Sequence, residues 1–260
     1  MLVAGDTHCN ARWTCHLATL ALAHDCDLVL QVGDFGYFPD WPEGRRFLAA
    51  VDETFERSGI DLLFIDGNHD DHASLADHRH ASSPVRIRDR IVYLPRGSRL
   101  QVGGIAFGFL GGAFSVDWRD RTVGRDWWPN EVVDPSDVER LGAEPLDVLV
   151  THDAPDGVHL HSGWRLPADD QVRADESRAL LAKAVFATRP RLLLHGHWHH
   201  AHQTELAWID REVSERTGEI SWASTNVVGL GCDGDDVHGW AVLDLADLSV
   251  CRPNAGSLAR

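Results

Sequence analysis

Leu2-Val3-Ala4-Gly5-Asp6-Thr7-His8 opens the chain, and Leu192-Leu193-Leu194-His195-Gly196-His197-Trp198-His199-His200 lies far downstream. Both read alike: a short apolar run, a glycine turn, then imidazoles and carboxylates. A buried strand ending in a tight turn projects the next side chains from a rigid base, and donors remote in sequence converge at such strand ends. After the first run, Trp13, Leu17 and Leu20 recur at helical spacing, and residues 28–32 form a second apolar run, which together predict a β-α-β unit. Phe47, Leu48, Val51 and Phe55 mark one face of a further helix closed by Gly59, and residues 62–65 supply the next strand. Alternating strands and helices predict a parallel sheet in this N-terminal part.

Beyond Asp89 the texture changes to short segments, residues 91–94 and 105–110, separated by Pro95-Arg96-Gly97 and Gly103-Gly104 and read as antiparallel pieces. Residues 111–130 form a long loop carrying Trp118, Trp127 and Trp128. A strand at 146–150 ends in Thr151-His152-Asp153, and a helix from about 175 to 188 stops before Pro190. Strands at 192–194, 204–209, 221–228 and 239–243 complete a β-rich end. No repeat, low-complexity tract or linker divides the chain, so residues 1–260 are expected to form a single domain.

A 43% share of hydrophobic residues is enough to fill a substantial core. No apolar stretch approaches the roughly 20 residues that cross a bilayer, and Met1 runs straight into a strand, so a cytoplasmic location is expected. The five cysteines are sparse and form no Cys-x-x-Cys pair, which argues for reduced, packed thiols rather than disulfides or a thiolate zinc site. A net charge of -16 repels polyanions, so non-specific nucleic-acid binding is not expected, and nothing indicates a membrane partner. Oligomeric state is silent in the sequence.

Each metal-friendly cluster stands at the carboxyl end of an expected strand: Asp6 with His8, then Asp34, then Asn68-His69-Asp70, then His152, then His197 with His199. An Asp-x-His pair or a Gly-Asp turn alone is most often an ordinary turn. Five such clusters in this order are not.

In that order the chain resembles the calcineurin-like metallophosphoesterase superfamily, whose motifs run Asp-x-His, Gly-Asp, Gly-Asn-His-Asp/Glu, a lone His after a strand, and Gly-His-x-His. The resemblance implies an α/β fold of four layers, α/β/β/α, with two mixed β-sheets flanked by helices. It also implies that Asp6, His8 and His199 hold a first metal ion, that Asn68, His152 and His197 hold a second, and that Asp34 bridges the two. Two divalent ions about 3.5–4 Å apart clamp phosphate oxygens and lower the pKa of a bound water to about 7, so hydroxide attack at phosphorus needs no serine or cysteine nucleophile. Mn²⁺ is the first expectation; Fe, Zn or Ni also suit imidazole and carboxylate ligands. His69 faces the leaving-group oxygen as general acid or as a transition-state donor by the same resemblance. Asp70 either orients that imidazole or caps a helix over residues 71–78.

The expected activity is hydrolysis of a small phosphorylated substrate, a phosphomonoester or phosphodiester. The alternatives are a dinucleotide polyphosphate hydrolase or protein phosphatase with the same site, or a non-catalytic metal-binding scaffold of the same fold. Gly33-Asp34-Phe35-Gly36 lacks the Asp-Arg pair that follows Gly-Asp in protein Ser/Thr phosphatases, which sets the chain outside that branch. Cys9 stands where the family has glycine, which questions the packing of that turn and invites thiol oxidation. Arg119 and Arg121 in the tryptophan loop are candidate phosphate ligands. His195 reads as a group behind the ligands, His159 and His161 as loop residues, and Asp233, Asp235 and Asp236 around Gly234 as a polar turn rather than a calcium loop.

Overall fold

The computed structural model describes residues 1–160 and 165–252; His161 lies outside that range. Strand β1 (Leu2–Ala4) leads through Asn10, whose side-chain oxygen accepts from the Trp13 amide at 3.1 Å, into helix α1 (Ala11–Ala23). Strand β2 (Leu28–Gln31) follows, then α2 (Pro42–Ser58). Proline suits the first turn of α2 because its missing N–H would be unpaired there, and Gly59 closes the helix in the left-handed region at φ 68°.

The remaining elements are β3 (Asp61–Phe64), β4 (Val85–Arg86), β5 (Ile91–Tyr93), β6 (Arg99–Val102), β7 (Ile105–Leu110), α3 (Pro135–Leu141), β8 (Val148–Thr151), α4 (Ala168–Thr188), β9 (Leu192–His195), β10 (His202–Ile209), α5 (Arg211–Thr217), β11 (Trp222–Gly229), β12 (Trp240–Leu243) and β13 (Val250–Cys251). One seven-stranded sheet runs β13-β12-β1-β2-β3-β5-β4 and one six-stranded sheet runs β10-β11-β9-β8-β7-β6. Parallel pairings occupy the middle of each, β1 through β5 in the first and β11-β9-β8-β7 in the second, with antiparallel strands at the edges.

Side chains alternate along these strands between two cores, which is what makes the architecture four layers deep. Val3, Leu30, Leu63, Val148, Val150, Leu192 and Leu194 fill the space between the sheets. Leu2, Ala4, Val29, Leu62 and Phe64 point the other way onto α1 and α2, packing against Leu17, Phe47, Val51 and Phe55. Leu149, Leu193 and Val227 pack under α4 with Leu181, Ala184 and Val185, alongside Leu141 of α3. Each fully buried aliphatic side chain contributes about 1.5–3 kcal/mol, so a charge placed at Leu194 would disrupt the seam between the sheets. The expected fold class is therefore what the chain adopts.

Three expectations need correction. Residues 91–94 and 105–110 are each antiparallel on one side only: β5 is antiparallel to β4 but parallel to β3, and β7 is antiparallel to β6 but parallel to β8, because the connection through α3 returns the chain as a crossover. Helix α4 begins at Ala168 rather than near 175, its first turn carrying Asp169 and Asp170, which suit a helix N-terminus but conceal the apolar period. Residues 71–78 form successive turns instead of a helix, and Asp71 rather than Asp70 accepts from the Ala73 and Ser74 amides at 3.0 and 3.2 Å. Segments at Val85–Arg86, Arg99–Val102, Pro135–Leu141 and Arg211–Thr217 carry too little apolar pattern to have been read from sequence. All five thiols are free, and no helix among the described residues is long and apolar enough to cross a membrane.

Candidate metal centre

Asp6 and His8 follow β1, Asp34 follows β2, Asn68 and His69 follow β3, His152 follows β8, and His197 and His199 follow β9. The two sheets thus bring the carboxyl ends of their parallel strands to one place. Backbone hydrogen bonds tie these turns together: the Thr7 and His8 amides donate to the Asp34 carbonyl at 3.1 and 2.9 Å, and the Gly196 amide donates to the His152 carbonyl at 3.0 Å. His8, Asp34, His197 and His199 have φ of 45°, 55°, 64° and 50°, a region that L side chains seldom occupy. Such strain persists only where surrounding structure enforces it, and here it falls on the candidate ligands. Two glycines make the close approach possible. A Cβ at Gly67 would lie 2.2 Å from Asp34 Oδ1, and one at Gly196 would lie 2.1 Å from Asp6 Oδ1.

The donors gather into overlapping groups, Asp6-His8-His199, His8-Asp34-His69 and Asp34-His152-His197, each with ligand atoms within 4.8 Å of one another. Asp34 joins them: its Oδ2 is 3.5 Å from His8 Nε2, and its Oδ1 is 3.3 Å from His152 Nε2. Asp6 Oδ2 lies 3.0 Å from His199 Nε2. The Asn68 carbonyl oxygen is 3.2 Å from His152 Nε2, and the His152 Nδ1–H donates to the Val32 carbonyl at 2.9 Å, which leaves Nε2 aimed at the centre.

Charge balance fits divalent cations. Asp6 and Asp34 are buried, with no lysine or arginine paired to them among the described residues. Burial opposes a charge on Asp34, but His152 and His69 outweigh it and hold the carboxyl well below the usual range. Burial likewise opposes protonation of His8 and His152, yet Asp34 dominates and raises them to about 9 and about 10. The hydrogen bond that His199 donates to Asp6 lifts it to about 10. The centre therefore favours positive charge, and a mixed set of imidazoles, carboxylates and one amide oxygen suits first-row divalent ions.

His69 donates its backbone N–H to Asp34 Oδ1 at 2.6 Å, and its ring Nε2 accepts from Arg121 at 2.7 Å. Burial and then the nearby Arg121 charge lower its pKa despite Asp34. Both side chains line a cavity of about 530 Å³ over the centre, walled by Phe114, Asp117 and Trp198 and by Gln171 and Asp175 of α4.

Two expectations change here. Asp70 does not orient His69; its carboxylate accepts the backbone N–H groups of Gly67, Phe35, Gly36 and Tyr37 at 2.7–3.3 Å, binding the third motif's turn to the second. Arg119 is turned away, its guanidinium paired with buried Asp170 and stacked on Trp118, so Arg121 alone of the two reaches the cavity. The turn at Cys9 closes with that residue at φ 60°, the conformation that a glycine would hold without strain. Burial and Asp70 push the Cys9 thiol up to about 11, the opposite of an activated thiolate.

Sequence reading missed the residues behind the ligands. Asp233, taken as a polar turn, accepts from His8 Nδ1 at 2.9 Å and from Asn10 Nδ2 at 2.7 Å. Ser115 and Glu131 form a buried chain leading to Asn68. No local pattern could have announced either, because the partner of each lies far along the chain. His195 is buried, with its Nδ1 2.9 Å from the Gly196 carbonyl oxygen and its Nε2 3.3 Å from His202 Nε2.

The chain is similar to solved structures. A dimetal phosphatase from Danio rerio superimposes with a TM-score of 0.54 at 12% identity, over 93% of this chain and 91% of that one. An archaeal phosphodiesterase has a TM-score of 0.46 at 11% identity, over 97% and 99%. No curated protein matches the chain. The calcineurin-like phosphoesterase family model matches residues 1–201, and the chain belongs to that family.

Proposed function

We propose that the chain is a dinuclear metal-dependent phosphoesterase acting on a small phosphomonoester or phosphodiester. The observation that carries this reading is a pair of three-residue donor groups, Asp6-His8-His199 and Asp34-His152-His197, with Asp34 within reach of both. In this reading Asp6, His8 and His199 would hold one ion, Asn68, His152 and His197 would hold the other, and Asp34 would be shared between them. Two divalent ions, manganese first among them, supply Lewis acidity that neutralises phosphoryl oxygens and makes water nucleophilic near neutral pH.

The protein's own groups do the rest. His69 and Arg121 stand side by side on the cavity wall, so a phosphate over the centre meets a guanidinium donor and an imidazole together. Burial and Arg121 keep the His69 ring neutral, so it serves the leaving-group oxygen as a transition-state hydrogen-bond donor rather than as the source of a full proton. Phe114, Val116, Leu166 and Trp198 provide an apolar wall for the alcohol portion. A cavity of about 530 Å³ admits a small phosphoester, not a protein segment.

Elemental analysis combined with hydrolysis of an aryl phosphodiester and an aryl phosphomonoester across Mn, Fe, Zn and Ni tests the proposal. Two ions per chain with turnover abolished by chelation is the expected result. A metal-loaded protein without turnover would make the chain a binding scaffold instead.

A further inference from the structure

Asn68 is an amide, and an amide can hold a cation only by its oxygen. Rotated by half a turn, it would present an NH₂ group to the ions and repel them. Something must choose the orientation. Asn68 Nδ2 donates to Ser115 Oγ at 3.1 Å, and Ser115 Oγ donates to Glu131 Oε2 at 2.7 Å. The other carboxylate oxygen, Oε1, accepts from the Ser115 amide at 2.8 Å and from Trp127 Nε1 at 2.9 Å. Asn68, Ser115 and Glu131 are each no more than 2% exposed, so water does not substitute for any of these partners.

The direction of the chain is fixed by counting protons. Burial raises the Glu131 carboxyl to about 7, so at pH 8 it is a carboxylate and only accepts; a serine hydroxyl has one proton, and it is committed to Glu131. The hydroxyl oxygen can then only accept from Asn68, which turns the amide NH₂ outward and the carbonyl oxygen toward His152 and the centre. We propose that Glu131 is a positioning residue which, through Ser115, locks the Asn68 amide with its oxygen toward the second ion. The inference rests on the dinuclear reading above. It also explains why Trp127, in a loop remote from the ligands in sequence, is held on the same carboxylate: the loop that walls the cavity and the ligand that holds the ion are fixed by one group.

Glutamine at 131 has nearly the same shape but carries an NH₂ that must face either Ser115 Oγ or the two N–H donors. In the first case the serine proton is freed to point at Asn68, and in the second an N–H meets N–H donors. Manganese titration by calorimetry at pH 8, with thermal unfolding in chelator as a control on folding, reads the effect. Glu131→Gln and Ser115→Ala are each expected to weaken one of the two manganese sites by about 10–100-fold while the other holds its affinity. The double variant is expected to be no worse than the more affected single variant, since both interrupt one chain. KM for an aryl phosphodiester under saturating manganese is expected to change less than kcat. Should one variant fail to fold, the other carries the test.

Unchanged affinity at both sites in a folded variant, or equal weakening of both, would overturn the proposal. Fewer than two ions on the unmodified protein would instead overturn the dinuclear reading itself, so the two failures are separable.

Discussion

The two halves of the proposed metal centre are held in different ways. The half built from Asp6, His8 and His199 is open: the His199 side chain is 47% exposed and that of His8 is 23% exposed. Its supports come from the C-terminal turn, Asp233 on His8 and Cys232 on His199. The half built from Asn68, His152 and His197 is closed, with Asn68 and His152 buried and supported by Ser115, Glu131 and the Val32 carbonyl. Behind it lies a buried ionic layer in which Arg96 joins Asp66 to the carbonyls of Glu131 and Val132, so the backbone carrying Glu131 is itself anchored. The difference teaches how one cradle can combine exchange with rigidity: exposed ligands let ions and substrate in, while buried ones keep the geometry that an incoming phosphate requires.

Breaking the shared member should erase the contrast. Asp34→Asn removes the charge that reaches both halves, and hydrolysis is expected to fall by roughly 10³-fold with loss of at least one ion per chain. Retention of two ions and near-normal turnover, measured by elemental analysis and aryl phosphodiester hydrolysis, would show that Asp34 is not a bridge. His69→Asn touches neither support system. Turnover is expected to drop by about 10²–10⁴-fold with metal content unchanged.

Asp233→Asn addresses the open half alone. One ion is expected to bind about 10–100-fold more weakly while the other keeps its affinity, the converse of the Glu131 result, because His8 loses the carboxylate that orients its ring. If Asp233→Asn and Glu131→Gln weaken the same ion in competition experiments, the two-halves description fails.

The smallest effect concerns the ionic layer behind the closed half. His72 is buried 3.8 Å from Asp66, and burial, with the Arg96 charge, lowers its pKa to about 3. Its unfolded-state value near 6.5 is higher, so between those values the unfolded chain binds more protons. Stability from this group is thus complete above pH 6.5 and is lost as the pH falls toward 3. Asp66, held at about 2 against burial by Arg96, adds a loss confined to lower pH, below its ordinary value of 3.8. His72→Phe is expected to flatten denaturant stability between pH 6.5 and 4 relative to the unmodified protein. An unaltered slope would show that His72 titrates freely.

Much of this was legible beforehand. The apolar runs before Gly5, Gly33, Gly67 and Gly196 are strands, and the residues after them converge, because a buried parallel strand leaves little choice about where its end points. Asp70 follows His69 and Arg119 stands near Arg121 in sequence, but neighbours along the chain need not share a direction: Asp70 turns to the amides of the second motif and Arg119 to Asp170 on α4. The first turns of helix α4 show no apolar period, because the one residue there that is buried, Asp170, is a carboxylate held by Arg119 and Trp118 while Asp169 and Val172 are exposed.

What the amino-acid order determined by itself was the set of strands and the donors at their ends, since hydrophobic alternation and turn chemistry act over a few residues. Only the tertiary structure decided which groups stand behind those donors. Asp233 reaches His8 across 225 positions and Ser115 reaches Asn68 across 47, and contacts of that span are set by how two sheets pack, which no local pattern encodes.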